Sequence, residues 1–326
     1  MNKSKTSYNV IFPHGLMFHR FCKSKSLSLG IGALEKKDFE RIINFVGKNR
    51  ILNPEEWLQR MQKGKLENSH LCITFDDGLK SQIDIALPIL NKFKIKAFWF
   101  LHSGIFFGNY DKNEIFNILI FKKFKKFKNF TNKFVHFYKL DTNIFKSKKF
   151  YNYLKRESKN YKFLTKGHIK YKYVRDFCFS KNKFENMMEN FFKKYNLNIN
   201  KFANKIWMNK KDVTNLSTSG HMIGMHSFSH SSQMSKLSKK EQELEYKKNY
   251  NHLKSICKKK IVTMSHPFNS YNHTTLKILK KMGIICGFRA NTQTNNKKIN
   301  SSFLEFARED PANILKINQN ITLKNK

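Results

Sequence analysis

The 326 residues amount to two average domains, or to one large α/β domain carrying an insertion. A hydrophobic share of 40% with 32 Phe, 12 Tyr and 3 Trp excludes a disordered chain. The formal net charge of +40 points first to nucleic acid, yet 55 Lys stand against only 8 Arg. Readers of bases and phosphates lean on the bidentate Arg fork, so the charge reads as compositional drift and no specific nucleic-acid binding is expected.

Met1–Val10 is polar and shows no secretory h-region. A short apolar run, Asn9–Phe18, is interrupted by Pro13 and Gly15. Helical spacing follows at Leu34–Val46 and at Pro54–Gln62, the latter with its Pro in the first turn. Leu71–Phe75 reads as a buried strand ending in two aspartates and a glycine. Ile83–Phe93 reads as a helix and Ala97–Leu101 as a strand. This βαβα rhythm predicts a largely parallel sheet with helices outside it.

After Gly108 the rhythm stops. Residues 110–205 are rich in Phe, Lys and Asn and carry helical periodicity, which predicts an α-helical insertion within a single α/β domain spanning 1–326. The insertion is expected to cap that domain. Its Lys-Phe stretch Phe121–Phe134 is either a basic amphipathic helix for an anionic surface or an ordinary helix with Phe inward and Lys in water, and the second reading is preferred. Strands resume at His221–Met225, Ile261–Met264 and Ile284–Arg289, with helices at Lys239–Lys254 and Thr274–Met282. The tail from Ile299 is irregular, with a last strand candidate at Ile314–Ile317.

The most apolar stretch, Ile95–Gly108, is 14 residues long and holds Lys96 and His102. A membrane helix needs about 20 apolar residues, so none is expected, and only peripheral membrane contact stays open. Five cysteines, widely spaced and without CxxC, argue for reduced thiols and a cytoplasmic location.

Two elements carry chemistry. In Thr74-Phe75-Asp76-Asp77-Gly78 adjacent carboxylates sit at the C-terminal end of a strand, where parallel α/β proteins build active sites. One can bind a cation while the other faces a substrate. In His226-Ser227-Phe228-Ser229-His230 two imidazoles four residues apart offer two neutral nitrogen ligands, on a helical turn or across a tight loop. One Asp with two His is the donor set of a catalytic metal site with open positions.

TFDDG followed by H-S-x-x-H resembles the polysaccharide deacetylase family, the NodB-homology carbohydrate esterases. The resemblance implies a distorted (β/α) barrel and metal-dependent removal of acyl groups from sugars. By it, Asp76 is the catalytic base, and Asp77, His226 and His230 are the metal ligands. Ser265-His266-Pro267-Phe268-Asn269-Ser270-Tyr271-Asn272 is similar to the family's groove motif, which places His266, Pro267, Phe268 and Tyr271 along the substrate. His266 stands where Tyr is usual and Asn269 where Gly is usual. The arginine that steadies the base in some members would fall at Ser265, leaving Arg289 or Arg308 as substitutes. The family's C-terminal acid His has no match. His19, ahead of His14, takes its place as the candidate acid, because Phe12–His19 resembles the family's opening strand.

The expectation is a hydrolase holding a divalent metal, zinc by its ligand set with cobalt, nickel or manganese also admitted. It removes an acetyl or other acyl group from an amino sugar in the biosynthesis of a surface glycan or glycolipid. Its partner is then an acylated sugar or glycan precursor. The alternatives are a non-sugar amide hydrolase on the same barrel, or an inert basic module that binds an anionic polymer or membrane surface.

Overall fold

A computed structural model describes residues 8–9, 12–24, 32–160, 164–198, 202, 205–290 and 302–324. Most of the polar start and residues 299–301 of the tail lie outside the described residues. The chain divides into two compact units, one of Met1–Lys23, Leu34–Tyr110 and Trp207–Lys326, the other of Ser24–Ala33 and Asp111–Ile206.

The first unit is built on seven parallel strands: β1 His14–Phe18, β2 Leu71–Asp76, β3 Phe98–Leu101, β4 Met222–Met225, β5 Thr263–Ser265, β6 Cys286–Phe288 and β7 Arg308–Glu309. Their order is β6-β5-β4-β3-β2-β1-β7. The two ends of that row approach each other. Phe306, two residues before β7, forms a parallel bridge to Phe288 of β6, with Arg289 N donating to Phe306 O at 2.9 Å. The sheet is therefore a nearly closed barrel.

Closure explains why the strands read as continuous apolar runs rather than alternating ones. Both faces are buried. Alternate residues go to opposite sides: Ile73, Phe75, Trp99, Leu101, Ile223 and Met225 pack in the larger core with the surrounding helices. Cys72, Phe98, Phe100, Cys286 and Phe288 form the smaller cluster, which Trp57 and Phe306 join. Trp57 belongs to the helix Pro54–Gln62, whose Pro stands at the helix start as the sequence predicts.

The strand expected at Ile314–Ile317 is not formed. That segment lies inside a helix, Pro311–Lys324, and the last strand is the pair Arg308–Glu309. A four-residue apolar run does not discriminate strand from buried helix. Local signals decide it: Pro311 opens the helix, the Asp310 side chain accepts from Ala312 N at 2.8 Å, and Ile314 alone of the run is fully buried.

The second unit is helical, with helices at Lys112–Phe124, Phe127–Phe137, Lys148–Asn160, Lys166–Tyr173 and Lys181–Lys193. The Lys-Phe stretch is not one helix, because Lys125 at φ 62° breaks it in two. Phe124, Phe127, Phe130 and Phe134 are buried, while Lys122, Lys123, Lys125, Lys126, Lys128 and Lys133 are exposed. Its aromatic side is thus core. Among the described residues no helix is long and apolar enough to cross a membrane.

Candidate active site

Asp76 is the last residue of β2. Asp77 follows in a left-handed turn at φ 73°, and Gly78 continues it at φ 64°. On a straight strand these neighbours would face opposite ways. The turn, strained at a non-glycine residue, brings both carboxylates to one centre.

His226 comes one residue after β4, and the chain then doubles back with Ser227 at φ 61° and His230 at φ 55°. The two imidazoles therefore meet across a tight loop, not along a helical turn. Their Nε2 atoms lie 3.5 and 3.2 Å from Asp77 Oδ1. All three donor atoms fall within 4.8 Å of one another, so Asp77, His226 and His230 can hold a metal ion. Side-chain orientation fits that use. Nδ1 of His226 is 3.0 Å from the Ser265 carbonyl, an acceptor, which fixes the ring proton on Nδ1 and leaves the Nε2 lone pair toward Asp77. The His230 ring stacks on that of His102, at 4.9 Å, and meets that of Phe268 at a tilt, at 4.6 Å.

Asp76 is held differently. Arg308 forks onto it, with Nη1 to Oδ1 and Nη2 to Oδ2 both at 2.7 Å, and Ser265 Oγ donates to Oδ1 at 3.0 Å. Burial alone would push this carboxyl up, but Arg308 and the neighbouring imidazoles outweigh it and hold the pKa at about 2. Asp76 Oδ2 faces the centre, 3.8 Å from His19 Nε2 and 3.9 Å from His226 Nε2. Burial likewise raises Asp77, and His230 and His226 more than reverse it, well below the usual range.

The two acid candidates are separated by the strand that carries them. His19 lies just past the C-terminal end of β1, beside Asp76 and partly exposed. His14 opens the same strand, and its ring is taken up by Tyr8 Oη at 3.1 Å and the Phe12 carbonyl at 2.9 Å. Burial lowers the pKa of both rings. Of the two substitute arginines, Arg308 is the one that reaches the base.

The groove residues divide as well. Phe268 is 54% exposed and held at φ 51°. Tyr271 is half-buried and donates to Glu305 Oε1 at 2.9 Å. His266 and Pro267 are buried, and His266 Nε2 bonds the Leu304 carbonyl while its ring stacks on Tyr271.

Three residues at the site carry no motif. Asn249 accepts from His226 N at 3.0 Å and donates to Leu101 O, and Glu245, four residues earlier on the Lys239–Cys257 helix, accepts from Phe228 N and Ser229 N. Gln82 bonds the main chain of His19 and Asp76. The available signal was polarity on a buried stripe: Gln242, Tyr246, Asn249 and Leu253 share one helix face.

The sequence model of the polysaccharide deacetylase family matches residues 178–286, which contain the His loop and the groove motif but not the paired aspartates. No curated protein matches the chain significantly. Among solved structures, the Streptococcus pyogenes deacetylase PplD in complex with acetate superposes with a TM-score of 0.54 at 14% identity, covering 94% of this chain and 98% of that one. IcaB from Ammonifex degensii gives 0.53 at 13% identity, with 96% and 97% covered. Residues 178–286 thus match the polysaccharide deacetylase family in sequence, and the barrel as a whole shares its fold with solved deacetylase structures.

Proposed function

We propose that the protein is a metal-dependent deacetylase that removes an acetyl, or another small acyl, group from an amino sugar of a glycan or glycan precursor. The observation that carries this reading is the division of labour between adjacent carboxylates. Asp77 completes a two-imidazole donor set, while Asp76 is kept apart by Arg308 with one oxygen toward the centre. Asp77, His226 and His230 would hold a divalent cation, which would supply polarisation of the acyl carbonyl and a water of lowered pKa. Zinc suits the set, and cobalt, nickel or manganese also accept it.

Asp76 stays ionised and takes the proton of the attacking water. His19, with Nε2 3.8 Å from Asp76 Oδ2 at the end of β1, is the group placed to deliver a proton to the leaving amine. The Phe268 N–H is the main-chain donor we assign to the developing oxyanion, and the exposed Phe268 ring offers an apolar surface to a sugar ring. The structural neighbour PplD, named as a deacetylase and holding acetate, supports acetyl as the group removed.

The test is acetate release from oligomers of an N-acetylated hexosamine, with elemental analysis of the gently purified protein. One divalent ion per chain and metal-dependent release are expected. Protein that contains no metal, and gains no activity with any added divalent ion, would overturn the reading.

A further inference from the structure

We infer that Gln82 is a positioning residue that fixes the two proton-handling groups against each other; this rests on the roles proposed above for Asp76 and His19. Gln82 is fully buried in the π-type turn Gln82–Ala86 that follows the aspartates. Its Nε2 donates to the Asp76 carbonyl at 2.6 Å and to the His19 carbonyl at 2.8 Å. Those residues stand at the C-terminal ends of the adjacent strands β2 and β1. One amide therefore links the main chain of both.

The amide's orientation is fixed by chemistry, since an oxygen in that place would face two carbonyl oxygens. Its own Oε1 is buried without a hydrogen-bond partner among the described residues. A side chain needed only for bulk would be Met or Leu, which leave no desolvated acceptor. What distinguishes Gln is the pair of N–H donors, and both are engaged. The preceding residue adds a second tie, because Ser81 Oγ accepts from Phe21 N at 3.3 Å. Pro88, six residues on, lacks the N–H that a regular helix would offer to the Asp84 carbonyl, and the widened turn lies just before it. The metal-ligand loop is braced elsewhere, by Asn249 and Glu245. The clamp holds the main chain of Asp76 and His19 directly and reaches the ligand Asp77 only through the Asp76–Asp77 peptide, so it should change proton transfer far more than metal binding.

The experiment uses the full-length zinc-loaded protein with Gln82→Met, which removes both donors at similar size, and Gln82→Asn, which keeps the amide but shortens its reach. Steady-state kinetics, zinc affinity and imidazole NMR of His19 are measured for each. We expect Gln82→Met to bind zinc as the parent does and to keep KM within about twofold. Its kcat should fall about 10- to 100-fold, the scale of an ångström-level misplacement, and its His19 resonances should shift, with Gln82→Asn in between. If Gln82→Met does not fold, Gln82→Asn alone decides. Folded variants with the parent's kcat and His19 resonances would overturn the clamp, as would a loss confined to zinc affinity. A parent without deacetylase activity would sink the function above and leave the His19 resonances to decide the clamp: displaced in the variants they uphold it, unmoved they end it.

Discussion

Arg308 forks onto Asp76 from 232 residues away in the chain, both bonds at 2.7 Å and both side chains nearly inaccessible. Arg308 stands opposite Gly15 in the β1–β7 register, and Asp76 ends β2. The guanidinium therefore passes through the barrel interior, touching Thr74 Oγ1 at 3.4 Å on its way. A buried pair of this kind is costly to break, about 3–5 kcal/mol, because the surviving charge stays buried and unpaired. Arg308→Met should lose stability on that scale in urea unfolding, together with at least about 100-fold in turnover. Arg308→Lys should keep more of the stability than of the rate, since an ammonium cannot reproduce the fork. A Met variant with parental stability and rate would show that the fork is idle.

Gly15 makes room for that arginine. A Cβ placed there would lie 3.0 Å from Arg308 Cγ, 3.2 Å from Thr74 Cγ2 and 3.3 Å from Phe288 Cδ1. All three neighbours are buried and none is a freely moving chain end. Gly15→Ala should cost about 1–3 kcal/mol by overpacking and lower kcat by displacing the guanidinium. Metal affinity should be unchanged, because Asp77, His226 and His230 are not packed against this position. Calorimetry with a zinc titration checks both halves, and a stabilised, fully active Gly15→Ala would contradict the tight contact.

The sequence exposed what is local. Hydrophobic runs marked β2 to β6, β1 was legible only as an interrupted apolar run that resembles the family's opening strand, and the paired aspartates and paired histidines fell at strand ends as their motifs implied. The orientation of the histidines was open, since a spacing of four suits both a helical turn and the loop with left-handed Ser227 and His230 that is formed. The arginine partner was open between Arg289 and Arg308, because the choice depends on barrel closure through Phe306 and a strand of two residues. So short a strand has no periodicity to read. Gln82 and Asn249 act through main-chain carbonyl and amide groups, which leave no mark on the spacing of side chains.

Asp310 provides a pH test away from the metal-ligand candidates. Burial raises its pKa to about 6, helped by Glu309 and opposed by the Ala312 N–H. A folded pKa above the unfolded value of 3.8 means that the folded state binds the extra proton between about pH 4 and 6. This contribution is therefore full below pH 4 and is lost as pH rises through 6. Asp310→Asn retains an oxygen to accept from Ala312 N and carries no charge. It should be the more stable protein at pH 7, by about 1 kcal/mol after allowance for partial exposure, and equal to the parent near pH 4. A constant difference across that range would show that the side chain does not titrate as its burial implies.

Asp76 and Asp77 are adjacent, and their surroundings assign them opposite phenotypes. Asp77 Oδ1 is the carboxylate donor beside His226 and His230 Nε2, whereas Asp76 spends both oxygens on Arg308 and turns Oδ2 to His19. Asp77→Asn replaces a charged ligand with a neutral amide, so zinc affinity should drop, and excess metal should restore part of the rate. Asp76→Asn leaves the donor set intact, so zinc occupancy should stay near one per chain. Turnover should nevertheless fall by about 10²–10⁴-fold, the usual worth of a positioned general base, and excess metal should not recover it. Asp76→Asn also faces the Arg308 fork with an amide, so its unfolding midpoint must be measured beside the rate to separate lost chemistry from lost packing. Acetate release and zinc titration on both variants settle the assignment. Full metal affinity in Asp77→Asn, or parental turnover in Asp76→Asn, would overturn it, and exchanged phenotypes would keep the reaction while reversing the two roles.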